Sequence, residues 1–299
     1  MPRPLHIAVV LLATACASHT PPNTSPTPAN PPGASPPPPP PPPPAPPPPA
    51  GKLPDVVRLG PSTQRYVMHQ VVHIDQEFQG IKQPLDFGLS AFFRATITGP
   101  ADTVGYPTTV TVDSILPDSG TTVPMGINLV AAKGLSFSGR LTPKGDFRNQ
   151  VPSDSVAAQS LSPIVGSFRN FFPRLPASGL TLGVTWTDTV TMSDRAAGNV
   201  TVKSITRSHA VIWETRNNAR SLRVEVSSTF TIQGSGEQNG QPFEVAGNGV
   251  RNGIDYLAVD GRYLGGESSD STSMTISLPV QAMTIPRTQV SKTTVTVLP

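Results

Sequence analysis

The sequence predicts a mainly β protein, a large curved antiparallel sheet or half-barrel with one short amphipathic helical segment at about 153–172. Three observations carry this. Long stretches alternate apolar and polar residues with period two. Clusters of Gly, Asn, Asp and Pro punctuate them at hairpin intervals. Charged residues make up only 14% of the chain, with Ser and Thr abundant, a surface that suits strands better than helices.

The first strand runs from Gln64 to Phe78, with Tyr66, Met68, Val72, Ile74 and Phe78 on one face and His69, His73, Asp75 and Glu77 on the other. Gly80 to Pro84 is read as a turn, and Phe87 to Thr98 as the second strand, with Phe92, Arg94, Thr96 and Thr98 opposed to Phe93, Ala95 and Ile97. A β-branched strand follows from Thr108 to Leu116. Leu135, Phe137, Gly139 and Leu141 alternate into a hairpin at Pro143-Lys144-Gly145-Asp146. The pattern then changes. Ala157, Leu161, Ile164, Val165, Phe168, Phe171 and Phe172 recur at three-and-four spacing, the period of a helix. Ser153 or Asp154 can cap its start, and Pro163 is accommodated as the first residue of a second short helix capped by Ser162. A segment this rich in phenylalanine must be packed, and the sheet is the expected partner.

Strands resume after Gly183, with Val184, Trp186, Asp188, Val190 and Met192 on one face. Two strands are read over Asn199–Arg207 and His209–Glu214, then a tight turn at Asn217-Asn218. The cleanest alternation is Leu222, Val224, Val226, Ser228, Phe230 and Ile232. After Asn239-Gly240 come strands at Phe243–Ala246 and Ile254–Val259, separated by Gly247, Gly249 and Gly253, read as a bulge or turn. Arg262 to Gly265, Ser273 to Leu278 and Gln289 to Val297 complete ten or more strands.

The first fifty residues are different. They hold 21 of the 37 prolines and a single charged residue, Arg3. Pro36 to Pro44 is an unbroken run, expected to form a semi-rigid polyproline spacer. A ligand for a proline-recognising domain is the alternative reading. Upstream, Arg3, the apolar run Leu5–Leu12 and Ala13-Thr14-Ala15 form a short signal peptide, too short to span a bilayer. Cys16, the only cysteine in the chain, follows directly. This arrangement resembles the lipobox of bacterial lipoproteins. The resemblance implies that the chain is cut before Cys16, that Cys16 is acylated, and that residues 16–53 tether a β-rich domain at 54–299. Ala17 in place of Asp points to the outer membrane, on either its periplasmic or its surface face. An ordinary signal peptide cut after Ala15 or Ala17 is the alternative.

Further on, Phe172-Pro173-Arg174-Leu175-Pro176 and Gly183-Val184-Thr185-Trp186, with Gly247-Asn248-Gly249 and Asp260-Gly261, resemble patterns in envelope lipoproteins of unassigned role. The order of strands, helix and meander is similar to that of the lipoprotein-localisation factors, LolA and its relatives. That resemblance implies a half-barrel holding acyl chains under covering helices, and makes Phe168, Phe171, Phe172 and Trp186 the candidate apolar ligand-binding residues. The other partner is the membrane, reached through acylated Cys16. Protein partners are not indicated.

Chemistry is harder to find. Net charge after residue 50 is about +2, from 21 bases and 19 acids, without the basic stripe that nucleic acid requires. There is no HExxH, GxSxG or SxxK motif. His69 and His73 on a strand lie ~13 Å apart, too far to share a metal. No catalytic residue, metal or cofactor is expected, and an enzyme is not. The function read from sequence is a membrane-anchored envelope lipoprotein, binding a lipid or other apolar ligand in the curved sheet. The alternative is a structural or interaction lipoprotein with a fully packed domain. Globomycin treatment of producing cells should accumulate uncut precursor; normal processing, with no acyl mass on the mature terminus, refutes acylation at Cys16.

Overall fold

A computed structural model describes residues 56–121, 128–161, 164, 168, 171–194, 199–238 and 240–299. Cys16, the proline run, the Ser162/Pro163 cap and Asn239 lie outside the described residues.

Eleven antiparallel strands form one sheet that does not close into a barrel. They are β1 (Ser62–Phe78), β2 (Ile81–Ile97), β3 (Tyr106–Pro117), β4 (Ser136–Leu141), β5 (Phe147–Pro152), β6 (Thr185–Asp194), β7 (Val200–Arg216), β8 (Ala219–Gln238), β9 (Gln241–Ala258), β10 (Tyr263–Leu278) and β11 (Met283–Leu298). Their spatial order is β5-β4-β3-β2-β1-β11-β10-β9-β8-β7-β6. Every connection but one is therefore a neighbour-to-neighbour hairpin or loop. The first and last strands meet in the middle, where Met68 faces Val295. β5 and β6 become the two free edges, and residues 153–184 carry the chain from one to the other.

The alternation read from sequence sets the two faces. In β1, Tyr66, Met68, Val72 and Ile74 are buried, while Val71, His73 and Asp75 are exposed. Asn217 and Asn218 both take positive φ, as a two-residue turn matched to strand twist requires. The first hairpin turns tighter than expected. Gln79 and Gly80 suffice, and β2 starts at Ile81 with Pro84 inside its exposed first half. Three expected breaks are absent, one of them between Gly265 and Ser273, which both lie on β10. Residues 200–216 form one strand, with a bulge between Ala210 and Ile212 instead of an interruption. Residues 241–258 likewise form one strand, and Gly247, Gly249 and Gly253 pair in regular register on both sides.

Those glycines face inward, and neighbouring side chains use the space. A Cβ on Gly249 would meet the Phe230 ring at 2.2 Å, and one on Gly247 would meet Met274 Cβ at 2.6 Å. The glycines let large residues of β8 and β10 lie flat across β9.

The expected helical segment opens with one short helix, and Ile164 and Phe168, further along, are also in helical conformation. An α-helix, α1, spans Ser155–Ser160, capped by Asp154, whose side chain accepts from the backbone N–H groups of Val156 and Ala157. None of its residues is buried. Burial comes after it, at Leu161, Ile164, Phe168, Phe171 and Phe172. These enter the main apolar cluster with Tyr66, Phe93, Phe137 and Tyr263. Phe171 is its hub, with ring centroids 4.9 Å from Tyr66, 4.9 Å from Phe93 and 5.3 Å from Tyr263. A second, smaller cluster of Val200, Val202, Phe230, Ile232, Val245 and Met274 fills the other end of the inner face.

Gly249→Ala should destabilise the protein by about 1–3 kcal/mol, because Phe230 must leave its place. Urea unfolding measures this; a loss below about 0.5 kcal/mol would show that the ring is not confined over β9.

Candidate functional site

Between the two apolar clusters the inner face is polar. Strand register builds a row across the sheet: Asp188, Thr206, Ser228, Arg251, Asp270 and Ser291, one from each of β6 to β11. The next row toward the main cluster holds Ser208, Val226, Gly253, Ser268, Thr293 and Gln70. Two pairs of these groups satisfy one another, while Thr293 Oγ1 is buried without a partner. Thr206 Oγ1 lies 2.8 Å from Ser228 Oγ, and Ser291 Oγ donates to Asp270 Oδ2 at 3.0 Å.

Over these rows lies a partly open cavity of about 200 Å³. Its roof is Phe171, Phe172, Pro173 and Arg174. Its floor carries the hydroxyls of β7, β8, β10 and β11, with Arg251 and Asp255 from β9. One end is walled by Met68, Val224 and Val295, the other by Met192, Val202 and Phe230. Gly253 and Gly266 lie in its floor, and a Cβ on either would run into neighbouring strand atoms, at 2.8 Å from Glu267 O and 2.3 Å from Ile254 O. The cavity is smaller than the ~300–1,000 Å³ common for ligand pockets, yet larger than an apolar cavity of ~150 Å³ that admits a benzene-sized guest.

Arg174 holds the roof. Its Nη1 lies 2.5 Å from Asp146 Oδ1, in the β4–β5 hairpin, and donates to Asp188 Oδ2 on β6 at 3.0 Å. One guanidinium thus ties both free edges of the sheet to the segment that crosses between them. The backbone reinforces it, since Leu175 N donates to Lys144 O at 2.9 Å and Gly183 N to Ala210 O at 2.7 Å.

A hydrogen-bonded chain runs from Tyr66 on β1 to the cavity wall at β9 and β10. The Tyr66 hydroxyl donates to the Tyr263 carbonyl at 2.9 Å, and the Tyr263 hydroxyl donates to Asp255 Oδ1 at 2.8 Å. Burial pushes both phenols well up and also raises the Asp255 carboxyl, against the lowering effect of Arg251. Asp255 keeps some exposed surface as a residue, yet its carboxyl is enclosed. Arg251 and Asp255 therefore form the charged corner of an otherwise hydroxyl-lined floor.

Of the residues expected to touch a ligand, Phe171 and Phe172 line the cavity. Phe168 packs deeper, 4.8 Å from Phe93 between ring centroids, and Trp186 packs partly buried against the main cluster; neither is a lining residue. The floor residues were not singled out from sequence. Alternation places Ser204, Thr206, Ser208 and Ser228 on the apolar face of their strands, and that was the available signal. His69 and His73 sit on the outer face. His69 pairs with Asp118 at 2.8 Å, and His73 contacts Asp86 at 2.6 Å and Asp75 at 3.2 Å. Asp86 raises the His73 imidazole above its ordinary value. Among the described residues, no group of three or more His, Cys, Asp or Glu is placed to hold a metal, and no helix is long and apolar enough to cross a membrane. No protein-family profile matches the chain, and no curated protein is similar to it.

Asp255→Asn keeps an acceptor for Tyr263 and removes the charge whose burial is unfavourable. The folded carboxyl binds its proton more tightly than the unfolded one. The wild type therefore carries a penalty above its raised folded pKa, relieved as the pH falls through that value. The variant should melt at or above the wild-type temperature at pH 8, with its advantage shrinking toward pH 4. A variant that melts well below wild type at pH 8 contradicts this account.

Proposed function

We propose that the chain is a cell-envelope lipoprotein, anchored through acylated Cys16, expected at the outer membrane, whose curved sheet binds the apolar part of a lipid or similar amphiphile. The cavity between the β6–β11 floor and the Phe171–Arg174 roof carries this reading. Its ends are apolar, its middle offers hydroxyls, and its mouth is partly open, so a short chain with a polar substituent fits its chemistry better than a fully apolar one. The tether and lone cysteine support attachment, and multiple acyl chains would make it stable.

A second reading has its own support. The space beneath Phe168 is filled by Phe93 and Phe137 instead of forming an acyl-sized chamber. A packed domain of that kind suits a structural or protein-interaction lipoprotein.

Native mass spectrometry of protein extracted from its own membrane separates the two. The ligand reading expects a bound small amphiphile, uptake of a fluorescent medium-chain fatty acid, and at least tenfold weaker uptake in Val226→Trp, which fills the floor. A clean apo mass with no uptake, alongside a partner captured by cross-linking, supports the packed reading.

A further inference from the structure

Arg287 on β11 stands apart among the described charged residues. It faces inward and is 2% exposed. Its Nη2 donates to Gln289 Oε1 at 2.8 Å, but its Nε and Nη1, both buried, have no hydrogen-bond partner. Its register neighbours are Gln76 on β1 and Met274 on β10, neither of them acidic. Other arginines behave differently: Arg65, Arg140, Arg174, Arg223 and Arg262 each meet a carboxylate. Thr272, opposite Gln289, also has a buried hydroxyl without a partner.

Burial pulls the guanidinium down to about 10, with no carboxylate acting in the other direction, so it stays charged at neutral pH. An enclosed cation with two idle donors is costly, and native interiors resolve such groups with a counter-charge, ordered water or a bound ion. Nearby side chains supply only the neutral Gln289 oxygen. The missing component is a negative charge that accepts hydrogen bonds.

We propose that Arg287 is the anchor of an internal anion site, which takes a small monovalent anion, a halide or a short carboxylate, between β10 and β11. The anion accepts from the idle guanidinium nitrogens and sits within reach of the Thr272 hydroxyl. The site is separate from the roofed cavity, whose lining includes neither Arg287 nor Gln289. It does not depend on lipid binding or on anchorage, and either can fail without affecting it.

The test is thermal unfolding of the full chain at constant ionic strength, with gluconate replaced stepwise by chloride in one arm and by acetate in the other. The wild type should show a saturable rise in Tm, roughly 5–10 °C at a hundredfold excess over Kd. The arm that saturates at lower concentration identifies halide or carboxylate as the preferred anion. Arg287→Met should melt at or above the wild-type temperature in gluconate, because an apolar side chain of similar length removes the buried charge, and should lose the response. Crystals of the wild type grown in bromide provide a readout that does not depend on a variant folding. An anomalous peak is expected within hydrogen-bond distance of Nε or Nη1. A Tm indifferent to both anions, an unchanged response in Arg287→Met, or only ordered water at Arg287 in the bromide crystals overturns the proposal.

Discussion

An open sheet has two edges, and here the chain between those edges must hold them. β5 and β6 are the free strands, and each presents unpaired backbone groups of the kind that invite association. The segment from Leu161 to Val184 answers this from the inner side. Phe171 sinks between Tyr66, Phe93 and Tyr263, contributed by β1, β2 and β10. Arg174 then reaches both edges through Asp146 and Asp188. The ring cluster supplies apolar burial and the arginine supplies direction. The ion pairs are partly solvent-exposed, so their worth lies more in register than in stability. The cavity follows from this arrangement, since its roof is the same four residues.

The interior is unusual in carrying hydroxyls where a half-barrel of this size would be expected to carry Leu and Val. Polar residues on an inner face are tolerated when they pair with each other, and Thr206–Ser228 and Ser291–Asp270 do so. Glycine completes the effect. Gly247 and Gly249 give their space to Met274 and Phe230, which form the apolar cluster at the far end. Gly253, facing Val226 and Ser268, contributes nothing above the floor. One strand therefore decides, by where its glycines fall, which part of the inner face is packed and which part stays hollow.

Much of the fold was legible because its signals are local. Alternation in β1, β6 and β8 predicted which side chains turn inward, and Asn217-Asn218 and Asp260-Gly261 marked their turns. Reading failed where a local sign had a non-local cause. The glycines of β9 look like a break, yet they are required by side chains on the strands beside them. Ser208 reads as a break between two strands, but β7 pairs with β8 straight through it, and the bulge falls later, between Ala210 and Ile212. The periodicity of 153–172 reads as a helix followed by a second short one, and its buried residues lie after the first, α1. The site was less legible still. Asp188, Ser228 and Arg251 become neighbours only through register, and nothing near any of them in sequence announces the other two. Phe171 and Phe172 were identifiable because a phenylalanine pair needs burial wherever it lands.

The entry of the chain into the fold gives the candidate site a direction. Val57 and Leu180 exchange two backbone hydrogen bonds, each 2.8 Å, and Arg58 donates to the Ser178 carbonyl at 2.7 Å. The first described residues are thus fastened to the same crossing segment that roofs the cavity. A close approach enforces this contact, because a Cβ on Gly179 would lie 2.6 Å from Val56. Arg174, six residues before Leu180, then separates the two roles of that segment. On its N-terminal side the aromatic rings close the cavity, and on its C-terminal side the backbone pairs with Val57. The roof of the cavity and the entry of the chain into the fold therefore share one strap.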